Sequence, residues 1–236
     1  MNMNNQFTPE KWEKAFEVLL SEFPLGIWET FYATLLATLF AIIIGLPLGV
    51  LLVVGEKGGV MPMPAWLLKT LNIVINILRS VPFIILMVVV MPITRLIAGT
   101  TVGTGPSIIP LVIAAFPFVA RLVEGSLREL NPNIIEAAQS MGASPFQIII
   151  KVMIPESVPS LISNFTIAIT TILSYTAMSG TVGGGGLGKI AISYGYNRYQ
   201  FLIMIFAVIL LVVMVQVFQS IGTYAAVKSD KRLKGK

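Results

Sequence analysis

Four long stretches of this sequence contain no charged residue, and this pattern constrains the fold more than any other feature. The stretches cover residues 30–55, 96–120, 157–188 and 199–227, which is 26, 25, 32 and 29 residues. A helix needs roughly 20 mainly apolar residues to cross the hydrocarbon core of a bilayer, and a charge at its centre is costly. Each stretch is therefore long enough to cross a membrane as one helix.

The composition also indicates an all-α membrane protein. Of the 236 residues, 11% are charged and 56% are hydrophobic, whereas about 25% of a soluble domain is charged. The chain has no His and no Cys, which excludes His/Cys zinc sites, Ser-His-Asp and Cys-His catalysis, disulfides and thiol redox chemistry. We therefore expect no metal, no cofactor and no catalytic residue. Five of the sixteen basic residues lie in the last nine positions, and so short a basic tail offers no surface for nucleic acid.

A fifth uncharged window is shorter than the other four. Residues 80–94 number only 15, so as a helix they would be about 22 Å long against a hydrocarbon core of about 30 Å. The apolar residues before Arg79 extend the helix, and Arg79 and Arg95 can reach toward the lipid headgroups. We therefore predict five transmembrane helices. A re-entrant or interfacial segment over residues 71–95 remains the alternative.

The distribution of basic residues predicts the orientation of the chain. With five spans, 11 Lys and Arg residues fall on one side of the membrane and five on the other, and the richer side is cytoplasmic. The N-terminus is then outside and the C-terminus is cytoplasmic. Four spans would give ten against six, so charge alone separates the two topologies only weakly.

The first 26 residues differ from the rest of the chain. They carry four acids and two bases, which is the wrong charge for a secretory signal peptide. Thr8 and Pro9 are typical of a helix start, and large apolar residues follow at helical spacing: Trp12, Phe16, Leu19, Leu20 and Phe23. We predict an external amphipathic helix within residues 1–26, either on the membrane surface or packed on the other helices. A five-span domain (27–227) and a basic cytoplasmic tail (228–236) follow.

A glycine run after the fourth window imitates a nucleotide-binding motif. The run from Gly183 to Lys189 is followed by Ile190 where a P-loop needs Ser or Thr, and no acid occurs between Glu156 and Asp230 to bind a ribose. We therefore reject an ATP or dinucleotide site. The glycines instead permit an irregular backbone and close approach, either in a plain turn or in a segment that is buried in protein or lines a water-filled cavity.

The cytoplasmic loop over residues 121–156 carries clear helix signals. Asn133 and Glu136 have the spacing of a capping box, and Ser144 and Gln147 form a second one with a proline after Ser144. Gly142 is a helix-ending residue. The pattern predicts a helix of about two turns between two breaks, a shape that can dock into a groove on a partner.

These residues resemble the loop of permease subunits of binding-protein-dependent, ATP-driven importers. Glu136-Ala137-Ala138, Gly142 and the run 152–155 match the family pattern E-A-A-x-x-x-G-x9-I-x-L-P, with Val and Ile as conservative departures. The segment 174–188, which contains the glycine run, is similar to the methionine-importer branch of that family.

The resemblance implies a type I ABC importer permease fold in the bacterial plasma membrane. It implies a homodimer, two cytoplasmic ATPase subunits and an external substrate-binding protein. This chain is then a transport subunit and not an enzyme, because ATP hydrolysis resides in a separate subunit. The resemblance assigns contact with the ATPase to Glu136, Ala137 and Ala138, and the turn after them to Gly142. It points to methionine as substrate, with cystine or another amino acid as alternatives.

A polar stripe on the fourth span is the candidate translocation pathway. Ser and Thr residues cluster within about 80° of a helical wheel, and Met178 lies at the edge of the same face; the stripe contains Ser163, Thr166, Thr170, Ser174 and Thr181. We predict an outer gate at Met178, supported by Gly183 and Gly184. Alternatively, each hydroxyl forms a hydrogen bond with a carbonyl of its own helix or with a neighbouring helix. Gly45 and Gly49 have the spacing of a helix-packing motif.

Two other classes of membrane protein fit the sequence less well. An ion-coupled secondary transporter ordinarily places Asp, Glu or His inside its spans, and the only charge inside a predicted span is Arg79. Sodium can be bound by backbone and hydroxyl oxygens alone, so this rival stays open. An intramembrane protease would need His or paired intramembrane Asp residues, which this chain lacks.

Overall fold

A computed structural model describes residues 8–230, and this part of the chain is helical with no β-strand. The α-helices are α1 (Pro9–Ser21), α2 (Phe23–Val54), α3 (Ala65–Ser80), α4 (Phe83–Ala98), α5 (Thr104–Arg128), α6 (Pro132–Ser140), α7 (Pro145–Ile148), α8 (Ile154–Ser179), α9 (Gly186–Ile190) and α10 (Phe201–Ser229). Two π-helical segments, Ile149–Met153 and Ala191–Tyr196, and a 3-10 turn, Gly180–Val182, complete the order. The tail residues 231–236 lie outside the described part.

Four helical segments are long and apolar enough to cross a membrane. They are Phe23–Val54, Thr104–Arg128, Pro145–Val182 and Phe201–Ser229, and α3 with α4 counts as a fifth only if the interrupted pair is taken together. The expected single helix through residues 71–94 is therefore wrong. Val81 and Pro82 are extended (ψ 127° and 136°), because Pro82 has no amide hydrogen and disfavours a helical conformation in the residue before it.

The described chain divides into two compact units. One contains residues up to Thr38, Pro82–Ala114 and Ile169–Phe218, and the other contains Leu39–Val81, Ala115–Ala168 and the residues from Gln219. Helices α2, α5, α8 and α10 contribute residues to both units.

The first unit contains the N-terminal helix as part of its core. Ala15 of α1 is buried in one cluster with Phe23, Leu187, Leu202 and Ile203. The ring of Trp12 lies 6.2 Å from that of Phe206, at 71° to it. Of the two alternatives for residues 1–26, packing on the other helices is therefore confirmed for α1. Thr8 occupies the N-cap position as predicted, although its side chain makes no capping hydrogen bond.

In the second unit, helices α2 and α5 pack closely against each other. A Cβ added to Gly45 would lie 2.8 Å from the Phe116 carbonyl oxygen, and one on Gly49 would lie 2.6 Å from Val123 Cβ. The predicted packing role of Gly45 and Gly49 is thus confirmed, since only glycine allows α2 to approach α5 this closely.

Candidate coupling loop and gate

The helix that carries the importer motif starts earlier than its sequence suggested. Asn131, not Asn133, is the N-cap of α6, and its side-chain oxygen accepts a hydrogen bond from the Asn133 amide at 3.0 Å. Pro132 then occupies N1, where its missing amide hydrogen costs nothing. The expected Asn133–Glu136 capping box is therefore wrong.

The end of α6 is fixed by glycine. Gly142 has φ +76°, its amide donates to the Gln139 carbonyl at 2.9 Å, and the Ala143 amide donates to the Ala138 carbonyl at 3.1 Å. This pair of bonds is the Schellman motif, whose C′ residue must be left-handed. A Cβ on Gly142 would meet nothing within 4 Å. Gly142 is thus required for its backbone conformation and not for clearance.

The second predicted capping box is confirmed at the start of α7. Ser144 Oγ accepts from the Gln147 amide at 3.4 Å, and Gln147 Oε1 accepts from the Ser144 amide at 2.9 Å. The chain then continues through the π-helical segment into α8, with Ile148 and Met153 each 1% exposed. Buried apolar side chains therefore anchor the part of the loop that lies between Ser144 and α8.

The predicted coupling residues divide by exposure. Glu136, Ala137 and Gly142 are exposed, whereas Ala138 is 3% exposed, because α6 lies against α7 and the π-helical segment. Two large apolar side chains beside them, Met141 (82% exposed) and Phe146 (70%), point away from the loop's own core. Neither residue was predicted to belong to the site, because the sequence shows an apolar residue on either side of the Gly142 turn but not that both are exposed.

A charged network lies at the end of α5 that leads into the loop. Arg128 donates to both carboxylate oxygens of Glu56, at 2.6 and 3.2 Å, and to Glu124 at 2.9 Å. These bonds hold the pKa of Glu56 below its ordinary value. Arg121 pairs with Glu124 at 2.6 Å and donates to Asn72 on α3 at 2.8 Å. The network thus ties α3 and the segment after α2 to α5.

The glycine run forms a buried, tightly packed loop beyond α8. As predicted, the α-helix ends just before Gly180, and the chain reverses at Gly183, with φ +95°. Residues 184–188 are buried. A Cβ on Gly184 would lie 2.8 Å from the Ser179 carbonyl carbon, and one on Gly188 would lie 2.6 Å from Ala177 Cα. Of the two sequence-based alternatives for the run, the segment buried in protein is the one observed.

Two side chains of α2 hold this loop in place. Glu29 Oε2 accepts a hydrogen bond from the Gly186 amide at 2.7 Å, and Thr30 Oγ1 accepts one from the Leu187 amide at 2.9 Å. A third bond joins the Gly103 amide to the Gly183 carbonyl at 2.8 Å. The first charge-free stretch begins after Glu29, but α2 begins at Phe23, so Glu29 lies inside the helix. No sequence signal connected Glu29 to a loop 157 residues away.

The predicted polar stripe is partly exposed along α8. Ser174 is exposed and Met178 is 39% exposed. Thr170 is half-buried. The Ser174 hydroxyl donates to the Thr170 carbonyl at 3.2 Å, as the alternative interpretation of the stripe expects. Thr166 belongs to a packed surface, since a Cβ on Gly222 of α10 would collide with its side chain.

Comparison with known proteins identifies the family. Residues 45–233 match the family described as "Binding-protein-dependent transport system inner membrane component". The chain belongs to this family. The matched part of this family member contains both α6 and the glycine loop, whereas α1 and Glu29 precede it.

Individual relatives agree with the family assignment. The chain is 48% identical over 206 residues to the "Probable D-methionine transport system permease protein" of Vibrio cholerae, covering 87% of this chain and 91% of that protein. It is 43% identical to the protein of the same name from Pasteurella multocida, covering 95% and 100%. A solved structure described as inward-facing conformations of the MetNI methionine ABC transporter is similar with a TM-score of 0.85 at 43% identity, covering 87% of this chain and 95% of that one.

Proposed function

We propose that this chain is the transmembrane permease subunit of an ATP-driven methionine importer in the bacterial inner membrane. The observation that carries the proposal is the similarity, over nearly the whole chain, to D-methionine permeases in sequence and to a methionine ABC transporter in structure. Two copies form the translocation pathway, two ATPase subunits bind on the cytoplasmic side, and an external binding protein delivers the substrate. The chain is a transport subunit, and the ATPase subunits hydrolyse ATP.

The loop around α6 is the element that contacts the ATPase. Glu136 and Ala137 are exposed on α6, and Met141 and Phe146 add apolar surface beside them. An exposed apolar pair flanked by a charge fits a groove on a partner better than it fits water. Ala138 contributes by its small size, because it is buried where α6 lies against the rest of the loop. Gly142 fixes the turn.

The outer gate lies at the end of α8. Met178 is partly exposed one residue before the end of α8, and Ser174 lies one turn earlier on the same face. In a two-fold symmetric dimer Met178 would meet its own copy, and two flexible thioether side chains can close a narrow path. Gly183 and Gly184 support the gate through the packed glycine loop.

The chain enters the membrane from outside and ends in the cytoplasm. The basic residues support this orientation, and single cysteines can test it because the chain has none. Lys189→Cys should react with an impermeant thiol reagent added to intact cells, and Ser140→Cys should react only after the cells are opened. Outside labelling of Ser140→Cys would reverse the orientation.

A reconstituted transport assay tests the function itself. Proteoliposomes that contain this chain with its ATPase subunits should accumulate methionine only when the binding protein is outside and ATP is inside. Cystine should not compete at equal concentration. Uptake that follows an imposed sodium or proton gradient without ATP would reject the proposal, and cystine uptake without methionine uptake would correct the substrate.

A further inference from the structure

A cavity of about 200 Å³ lies between α1 and the segment that precedes α10, within the first unit. Three basic side chains line it: Lys11, Lys14 and Arg198. The start of α10 provides an apolar wall with Leu202 and Ile203. The coupling loop and the gate do not include this cavity.

The residues that line this cavity carry three positive charges and no negative charge. No Asp or Glu lines the cavity, and among the described residues none of the three basic side chains forms an ion pair. The Arg198 guanidinium lies 4.3 Å from the centre of the Tyr194 ring, which holds it in one orientation. Three like charges around one concave surface repel each other and attract an anion.

The backbone beside the cavity is strained, and a buried polar atom next to the strained residue has no hydrogen-bond partner among the described residues. Tyr199 has φ +56°, the only positive φ of a non-glycine residue in the described chain, and this conformation is unfavourable for a bulky residue. Gln200 Oε1 is buried and accepts no hydrogen bond from any described residue. A buried acceptor of this kind is costly unless a donor reaches it. Protein atoms cover this oxygen, however, so the charged groups that the cavity offers a ligand are its three cations.

The surroundings of the cavity match the boundary between membrane and water. The cavity lies where α10, a spanning helix, begins. Tyr196 and Tyr199 are 68% and 67% exposed, and Phe16 and Leu20 of α1 are 52% and 75% exposed. Exposed aromatic residues together with Lys and Arg at the end of a span are typical of the lipid headgroup level. A soluble anion would need no such apolar surface.

We propose that this cavity binds the headgroup of a membrane phospholipid. Lys11, Lys14 and Arg198 bind the phosphate. The exposed apolar side chains of α1 contact the acyl chains. A headgroup with a net negative charge, as in phosphatidylglycerol, fits the three cations best, because they would repel the ammonium group of phosphatidylethanolamine.

Native mass spectrometry of the delipidated importer complex can test this proposal. The complex is titrated with phosphatidylethanolamine, phosphatidylglycerol or inorganic phosphate, and the bound fraction is measured at each concentration. Each basic residue near a membrane surface is worth roughly a factor of five for an anionic group. The triple variant Lys11→Gln, Lys14→Gln, Arg198→Gln should therefore bind phosphatidylglycerol about 100-fold more weakly. The wild type should bind phosphatidylglycerol more tightly than phosphatidylethanolamine, and the triple variant should lose this preference.

Control variants distinguish the loss of cavity charges from other effects of substitution. Lys189→Gln removes an exposed basic residue of the same unit that does not line the cavity, and its lipid affinity should equal that of the wild type. Lys14 is exposed, so the single variant Lys14→Gln should fold normally. It should weaken lipid binding by several-fold even if the triple variant folds poorly. Lipid affinities equal to those of the control would overturn the proposal. Inorganic phosphate that binds as tightly as the lipid would overturn the assignment to a lipid. A triple variant that no longer docks the binding protein but keeps its lipid affinity would overturn it as well.

Discussion

Replacing Glu29 by Ala should loosen the glycine loop. Glu29 supplies a charged acceptor to the Gly186 amide at 2.7 Å. A hydrogen bond to a charged group contributes about 1.5–3 kcal/mol, and we reduce this to about 1–2 kcal/mol because Glu29 is only partly buried. A change of that size alters the ratio of closed to open loop by a factor of about 5–30. Thr30 still binds Leu187 in this variant, so the loop should loosen but not unfold.

Hydrogen–deuterium exchange measures this effect directly. In Glu29→Ala, peptides that contain Gly186 should exchange about 5- to 30-fold faster, while peptides from the middle of α10 should not change. Glu29→Gln keeps an oxygen acceptor without the charge, so its Gly186 peptides should exchange at a rate between those of Glu29→Ala and the wild type.

A neighbouring acid provides the control for Glu29. Glu22 accepts a hydrogen bond from the Tyr194 hydroxyl at 3.2 Å, and among the described residues it forms no hydrogen bond with residues 183–188. Glu22→Ala should therefore leave the exchange of Gly186 at the wild-type rate. Equal exchange in Glu29→Ala and Glu22→Ala would refute the conclusion that the Glu29 carboxylate holds the loop.

Four further substitutions, at three positions, test the coupling loop, the gate and the charged network. Gly142→Val should reduce transport and ATPase recovery several-fold with normal membrane insertion, because a left-handed backbone costs a residue with a Cβ about 1–2 kcal/mol. Met178→Ala should raise ATPase activity without substrate, and Met178→Cys should crosslink to its copy in the resting importer and less with ATP trapped. Glu124→Gln should destabilise the chain by about 2 kcal/mol, seen as a lower melting temperature, since it leaves Arg121 and Arg128 without their shared carboxylate.

Gly142→Val and Glu124→Gln each have a control variant, and the gate has an outcome that would contradict it. Gly142→Asn should retain most transport, since Asn tolerates the left-handed conformation, and equal loss in the Asn and Val variants would point to a cause other than backbone strain. Normal coupling in Met178→Ala together with no crosslink in any state would remove Met178 from the gate. Glu129→Gln, at an exposed residue that accepts from Ser160 at 2.9 Å, should melt like the wild type.

The sequence predicted features that depend on local patterns and missed those that depend on distant contacts. The charge-free windows gave four spans, and Ser144 and Gln147 gave a cap that the structure confirms. The break at Pro82 was missed because the prediction relied on the length of the apolar run and not on the proline within it. The hydrogen bond between Glu29 and Gly186 was also missed, since it depends on how α2 packs and not on any spacing of residues in the sequence.

The coupling-site residues show the same division. The motif placed Glu136 and Ala137 where the structure exposes them. Burial of Ala138 depends on the path of the chain after Gly142, which the motif does not specify. Met141 and Phe146 are exposed, and a sequence alone cannot distinguish an exposed apolar residue from a buried one.

The two caps and the Schellman turn around α6 have a consequence for the thermodynamics of assembly. Because Asn131, Gly142 and Ser144 satisfy the backbone at both breaks, the loop holds its shape before any partner arrives. The ATPase contact that we propose for this loop would therefore include no folding step, and the heat-capacity change on binding should reflect only the apolar area of side chains such as Met141 and Phe146. A calorimetric titration of the permease with its ATPase should give a small negative value, and a large one would mean that other segments become ordered on binding.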